Sequence, residues 1–223
     1  MKRGESVTRV DDAYERLKAE ILKNRLPPGF QATEPEVALR LGMSRTPVRE
    51  ALIRLQSEGL IELIPRRGVR VLPISPTDMQ EIYWLLTALE PDAAAALASK
   101  GLTAEQIASL EEATSAMEKA LEEKDLDLWA VADDRFHREL LYCTGNGRLL
   151  SFVTTLFDQA HRVRMITLRL RDLPTKSTAE HRAILKALRA GDAELTRRLF
   201  RAHRERAAKE LLAVLERGRL SSL

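Results

Sequence analysis

The chain holds four histidines, at positions 137, 161, 181 and 203. Asp133 and His137 are four residues apart, so on a helix they project from one face and can share a metal ion. Phe136 and Leu140 beside them mark that face as inward. His181 opens a further predicted helix. His203 stands on the last one, with Leu199 a turn before it and Ala207 a turn after. One carboxylate and three imidazoles suit Zn²⁺, Ni²⁺, Mn²⁺ or Fe²⁺ and leave coordination positions for a ligand. Residue types alone allow a second reading, in which these are core histidines satisfied by hydrogen bonds. His161, near Phe157, Met165 and Leu168, faces inward under either reading.

A second set of residues suits phosphate and base recognition. Arg45 and Arg49 are i and i+4 on a predicted helix, opposite the apolar stripe Val48, Leu52 and Leu55. That placement exposes both guanidinium groups. Ser44, Thr46 and the helix N-terminus can reach phosphates, and a helical arginine in the major groove can bond a guanine edge bidentately. Residues 44–57 carry three arginines against the single acid Glu50. Arg66, Arg67 and Gly68 lie between two β-rich runs, Leu60–Ile64 and Val69–Leu72, which reads as a hairpin with a basic tip.

These residues need elements to hold them. A helix is predicted over Asp11–Leu26, stopped by Pro27-Pro28-Gly29. Thr33-Glu34-Pro35-Glu36 reads as a capping box opening a second helix, which Gly42 ends. The third helix runs from Arg45 to about Glu58, ahead of the hairpin. Pro73-Ile74-Ser75-Pro76 reads as a stiff linker. Beyond it no strand pattern appears. Six helices are predicted, at about 77–99, 103–123, 125–144, 147–171, 176–190 and 192–217. The expected fold is therefore mostly α: a winged helix-turn-helix over residues 1–75, then an all-helical antiparallel bundle over 76–223.

Composition agrees. Of the 223 residues 44% are hydrophobic and only 4% aromatic, so the core is aliphatic, and Leu- and Ala-rich chains favour helix. The lone Cys143 excludes an internal disulfide and fits a reducing cytoplasm. No run approaches a membrane span, and the first residues lack the apolar stretch of an export signal. Net charge is +3, but it is divided: +4 over residues 1–75, −10 over 76–143 and +9 over 144–223.

Gly42-Met43-Ser44-Arg45-Thr46-Pro47-Val48-Arg49-Glu50-Ala51-Leu52, the following Glu58-Gly59-Leu60-Ile61 and the wing Arg67-Gly68-Val69 resemble the GntR family of bacterial transcription factors. The resemblance implies that Arg45, Thr46 and Arg49 meet operator DNA together with Arg66, Arg67 and Gly68. Pro35 stands where some relatives place a DNA-contacting arginine, with Arg40 as a substitute. Asp133-Asp134-Arg135-Phe136-His137, Gly145-Asn146, His181, Gly191-Asp192 and His203 resemble the FCD ligand-binding domain of the FadR subfamily, in its six-helix, VanR-like branch. That resemblance implies a divalent metal (Zn, Ni or Mn) on Asp133, His137, His181 and His203, with a small carboxylate effector completing its shell. Leu86 and Thr87 occupy the place of an arginine that meets the effector in relatives, so Arg135, His161, Arg162 and Arg164 become the candidates for that role.

The expected function is a metal-containing, ligand-responsive repressor, homodimeric and cytoplasmic, that binds double-stranded operator DNA and no membrane. Two alternatives stand beside it. One is a metal-dependent enzyme using the Asp/His₃ site, for which Asp134, Glu90 and Glu180 offer acid–base groups without any arrangement that singles one out. The other is a constitutive DNA binder with a structural metal.

Overall fold

A computed structural model describes residues 8–217. The chain divides into two compact units, with the break between Ile74 and Ser75.

The first unit begins with α1 (Arg9–Leu22), opened by a reciprocal capping box between Thr8 and Asp11. Its stripe of Ala13, Tyr14, Leu17 and Ile21 is buried. The helix ends four residues before the predicted stop, because Asn24 takes the left-handed conformation at φ 53° ahead of the prolines. A short strand β1 (Gln31–Ala32) precedes α2 (Glu34–Leu41), which carries the predicted box between Thr33 and Glu36. Gly42 closes α2 at φ 66°, and α3 (Arg45–Ser57) follows. Val48, Ala51, Leu52 and Leu55 of α3 join the α1 stripe in one core. Burying each such leucine contributes about 1.5–3 kcal/mol.

β2 (Ile61–Ile64) and β3 (Gly68–Val71) form the antiparallel hairpin, with Ile61 opposite Val71 and Ile64 opposite Gly68. The sheet has three strands rather than the two expected, in the order β1-β3-β2. Gln31 pairs with Arg70 and Ala32 with Val69. Two residues are too few to show a strand's alternation, so β1 exists only through its partner. It also fixes a glycine: a Cβ at Gly68 would lie 2.2 Å from the Ala32 carbonyl oxygen, and φ there is +96°.

Among its described residues the second unit holds helices and no strand. α4 (Pro76–Lys100) starts from a capping box between Ser75 and Asp78, so Pro76 belongs to the helix rather than to a linker. α5 (Ala104–Glu122), α6 (Leu126–Cys143), α7 (Gly147–Thr167), α8 (Thr175–Arg189) and α9 (Ala193–Arg217) complete it. α7 gives way at Thr167 to a 3₁₀ turn, Leu168–Leu170, where a continuous helix to about 171 was expected. α4 packs along α9 and α5 along α6, while α8 lies against both α5 and α9. No described helix is long and apolar enough to cross a membrane.

Candidate metal centre and nucleic-acid interface

Three helices of the second unit converge on one point. α6 supplies Asp133 and His137, α8 supplies His181 and α9 supplies His203, all four buried. One ligand atom from each histidine lies within 4.8 Å of the others. The Nε2 atoms of His137 and His181 are 3.1 Å apart. Asp133 Oδ1 stands 3.6 Å from the His181 Nε2 and 4.0 Å from the His137 Nε2.

What turns the imidazoles inward is the set of partners behind them. His181 Nδ1 donates to the Ser177 carbonyl at 2.8 Å, one turn back on α8. His203 Nδ1 donates to Glu180 Oε2 at 2.8 Å. His137 Nδ1 lies 3.1 Å from Glu90 Oε1 on α4. With a proton on each Nδ1, every Nε2 presents a bare lone pair to the shared space. Two bare nitrogens 3.1 Å apart repel unless a cation lies between them. Two ligands each ~2.1 Å from one ion stand roughly 3.0–3.4 Å apart, so the donor set fits a metal. His137 has one other arrangement: its Nδ1 accepts from Arg204 Nη2, 2.9 Å away, and its Nε2–H donates to His181. A metal requires the first.

The electrostatics favour the ligating forms. Burial drives the His181 pKa down to about 3, with the neighbouring His203 adding to the effect. Burial also holds His137 well below its ordinary value and lowers His203, against the opposing hydrogen bond that His203 donates to Glu180. All three are therefore neutral near pH 7. Burial raises the Asp133 carboxyl, but Arg164 and the three histidines outweigh it and hold the group below the usual carboxylate range. Arg164 of α7 bridges Asp133 Oδ2 at 2.9 Å and Asp134 Oδ1 at 3.1 Å.

Behind His137 lies a fully buried ion pair. Arg204 Nη2 donates to Glu90 Oε1 at 2.7 Å, and its Nε stands 2.5 Å from Oε2. Burial pushes the Glu90 carboxyl up, opposed by Arg204. Glu90 was expected here only as an acid–base group of the enzyme alternative, and Arg204 was not expected at all. Glu90 alone left a trace in the sequence, as an acid within the apolar run of α4. Arg204 is one more cation on a charged helix.

A cavity of about 430 Å³ reaches Asp133, His137 and His203 and is also lined by Arg164, Arg171 and Arg206. Of the four residues expected to meet an effector, Arg164 alone lines it. Arg135 is exposed and pairs with Glu112 on α5 at 2.8 Å, because its position on α6 turns it away from the histidines. Arg162 is buried elsewhere on α7, where burial lowers its pKa to about 10. His161 is half-buried outside the cavity wall, and burial lowers its pKa.

In the first unit, Arg45, Thr46 and Arg49 are exposed on α3 while Pro47 and Val48 turn inward. Ser44 occupies the N-cap but makes no capping bond, and the first turn carries no acid, unlike α1, α2, α4 and α5. The amides there are left for an external acceptor. Arg66 and Arg67 are exposed at the hairpin tip, with Arg66 left-handed at φ 63°. Arg49, Ile53, Arg66 and Gly68 border one groove between α3 and the wing. Arg40 does not join this face: its Nε donates to Glu20 at 2.7 Å.

Comparison with known proteins agrees with both units. Residues 9–71 match the bacterial regulatory proteins of the gntR family, and residues 81–206 match the FCD domain. A regulator from the TAR-I ttuE-ttuC' intergenic region of Agrobacterium vitis is 48% identical over 145 residues, covering 63% of this chain and 85% of that protein. The transcriptional repressor RspR of Escherichia coli K12 is 30% identical over 190 residues, covering 85% and 83%. The solved structure of E. coli McbR/YncC superimposes with a TM-score of 0.80 at 24% identity, over 93% of this chain and 99% of that one. The chain belongs to the GntR family of helix-turn-helix transcriptional regulators, with an FCD domain following the winged helix. It is a regulator and not an enzyme, which closes the catalytic alternative.

Proposed function

We propose that this regulator is a metal-dependent repressor that releases operator DNA when a small carboxylate enters its FCD cavity. The observation carrying the reading is the inward set of Nε2 atoms beside Asp133, each turned by an Nδ1 partner, with a cavity that reaches Asp133, His137 and His203. Asp133, His137, His181 and His203 would hold the ion, and Zn²⁺, Ni²⁺ and Mn²⁺ all suit the set. Bound there, a divalent cation supplies an electrophilic contact for a carboxylate. The cavity that reaches three of the four ligands favours an effector role over a purely structural one. Arg164 lines the cavity and holds Asp133 in its ionised form.

Arg45, Thr46 and Arg49 read the major groove of double-stranded DNA, with Ser44 and the open first turn of α3 on phosphate. Arg66, Arg67 and Gly68 bring the wing to the backbone. The protein works as a homodimer on a pseudo-palindromic operator, since one recognition helix reads few bases. Exposed Trp84, Val131, Tyr142 and Phe152 on the bundle offer apolar surface for that pairing. Operator binding places the protein in the cytoplasm, with the DNA.

The test is a His137→Ala, His203→Ala double variant, checked for folding by circular dichroism. It should bind no metal and lose its response to acid effectors, while fluorescence anisotropy still reports operator binding. A folded, metal-free variant that releases DNA at the wild-type acid concentration would refute the metal-site reading and leave a structural role.

A further inference from the structure

Arg171, just past the 3₁₀ turn, lines the cavity beside the first turn of α8, Thr175 to Ser177. Three of the other cavity arginines are matched by acids: Arg164 by Asp133 and Asp134, Arg204 by Glu90, and Arg206 by Glu180 and Glu210. The fourth, Arg217, is exposed at the end of α9, where its Nε donates to the Ala213 carbonyl. Arg171 has no ion pair with a described residue, and its Nε is buried without a hydrogen-bond partner. Asp133 and Glu210 attract it without touching it, and each is already paired, with Arg164 and with Arg206. A partly buried cation without an ion-pair partner of its own is destabilising until an anion meets it.

The neighbouring helix end points the same way. Side chains cap the first turns of α1, α2, α4, α5, α6 and α7. At α8 the cap is Pro174, which has no side-chain acceptor. The amides of Lys176 and Ser177 therefore lack a capping partner, and the helix dipole adds partial positive charge beside Arg171. Lys176 itself lines the same cavity.

We infer that Arg171 and the first turn of α8 form a second anion subsite, so that the effector carries two anionic groups. One carboxylate lies toward Asp133 and the histidines, and the other group lies on Arg171. The inference rests on the metal-site reading above. A cavity of about 430 Å³ admits a small dicarboxylic acid or a phosphorylated hydroxy acid, and both supply the shared chemistry.

The test is calorimetric titration of the zinc-loaded full chain with malate, 3-phosphoglycerate and 2-hydroxybutyrate. All three share a 2-hydroxycarboxylate head, and the last replaces the second anion by a methyl group. One of the two acids that carry a second anionic group should bind about 10- to 100-fold tighter than 2-hydroxybutyrate, as a charge-assisted hydrogen bond implies. Which of the two is preferred tells carboxylate from phosphate. Arg171→Gln should erase that preference and leave 2-hydroxybutyrate binding unchanged, and Arg171→Lys should restore part of it. With no acid added, Arg171→Gln should unfold at no lower a Tm than wild type. Equal binding of all three acids to wild type overturns the second subsite while upholding the metal site. A preference that survives Arg171→Gln removes Arg171 from it. Failure of every acid to bind the zinc-loaded chain overturns both readings.

Discussion

Replacing Arg204 by methionine removes the only guanidinium bonded to Glu90 among the described residues, while keeping much of the aliphatic stem. The wild-type pair is buried on both sides, with contacts of 2.5 and 2.7 Å. For charge centres about 4 Å apart the attraction is worth about 4 kcal/mol with an effective dielectric near 20. Stranding one partner of a buried pair costs about 3–5 kcal/mol. Arg204→Met should therefore lower the unfolding free energy of the second unit by about 3–5 kcal/mol at pH 7.5. The assay is urea denaturation of chelator-treated protein followed by tryptophan fluorescence, since both tryptophans, Trp84 and Trp129, lie in this unit. The penalty has a sign in pH. Burial already raises Glu90, and without Arg204 its folded pKa rises further above the unfolded value. The cost of keeping it charged then grows as pH climbs from the ordinary carboxylate range and shrinks toward pH 5. Loss of a like charge near His137 acts in the same direction. Adding Glu90→Gln should recover most of the loss. A penalty below about 1 kcal/mol, or one equal at pH 5 and pH 7.5, refutes the assignment of Glu90 as a buried charge held by Arg204.

Other outcomes follow from the same structure. Arg49→Ala should weaken operator binding by about 1–3 kcal/mol and relax specificity, read by anisotropy on operator and scrambled duplexes; equal loss on both would make Arg49 a phosphate contact. Gly68→Ala should destabilise the first unit and weaken DNA binding, because the added methyl meets the Ala32 carbonyl at 2.2 Å and φ is +96°; an unchanged Tm would argue against the β1–β3 pairing. In metal-free protein the three histidines are neutral when folded, whereas unfolding restores their ordinary affinity for protons. Stability should therefore fall as pH drops below about 6.5, by up to ~1.4 kcal/mol per pH unit for each histidine, and for His181 the loss continues to about pH 3. Zinc should raise the Tm of the chelator-treated chain above pH 6.5 and lose that effect as acid protonates the ligands; a zinc-insensitive Tm would count against the metal site.

Much of the architecture was legible because it is local. Capping boxes at Thr33 and the apolar stripes of α1, α3 and α6 are written within a few residues of one another. The recognition face was legible for the same reason, since helical spacing alone puts Arg45 and Arg49 opposite Val48 and Leu52. The end of α1 was misread because Asn24 turns the chain before Pro27 can. β1 was missed because two residues carry no pattern of their own.

The sequence by itself determined the helix inventory, the two-part organisation of the resemblance, and the residue types able to hold a metal. Only the tertiary structure decided which of those groups meet. Asp133 and His137 are neighbours on one turn of α6, but their distance to His181 and His203 depends on how α8 and α9 pack, and no short-range rule encodes that. The partners that turn each ring arise the same way. Glu90 comes from α4 and reaches His137 across 47 positions, and Glu180 reaches His203 across 23. The same packing sends Arg135 to Glu112 and puts Arg171, unmatched, in the cavity wall. Whether an arginine is paired is a property of the three-dimensional neighbourhood, because any of the chain's 33 acids can come to lie beside it.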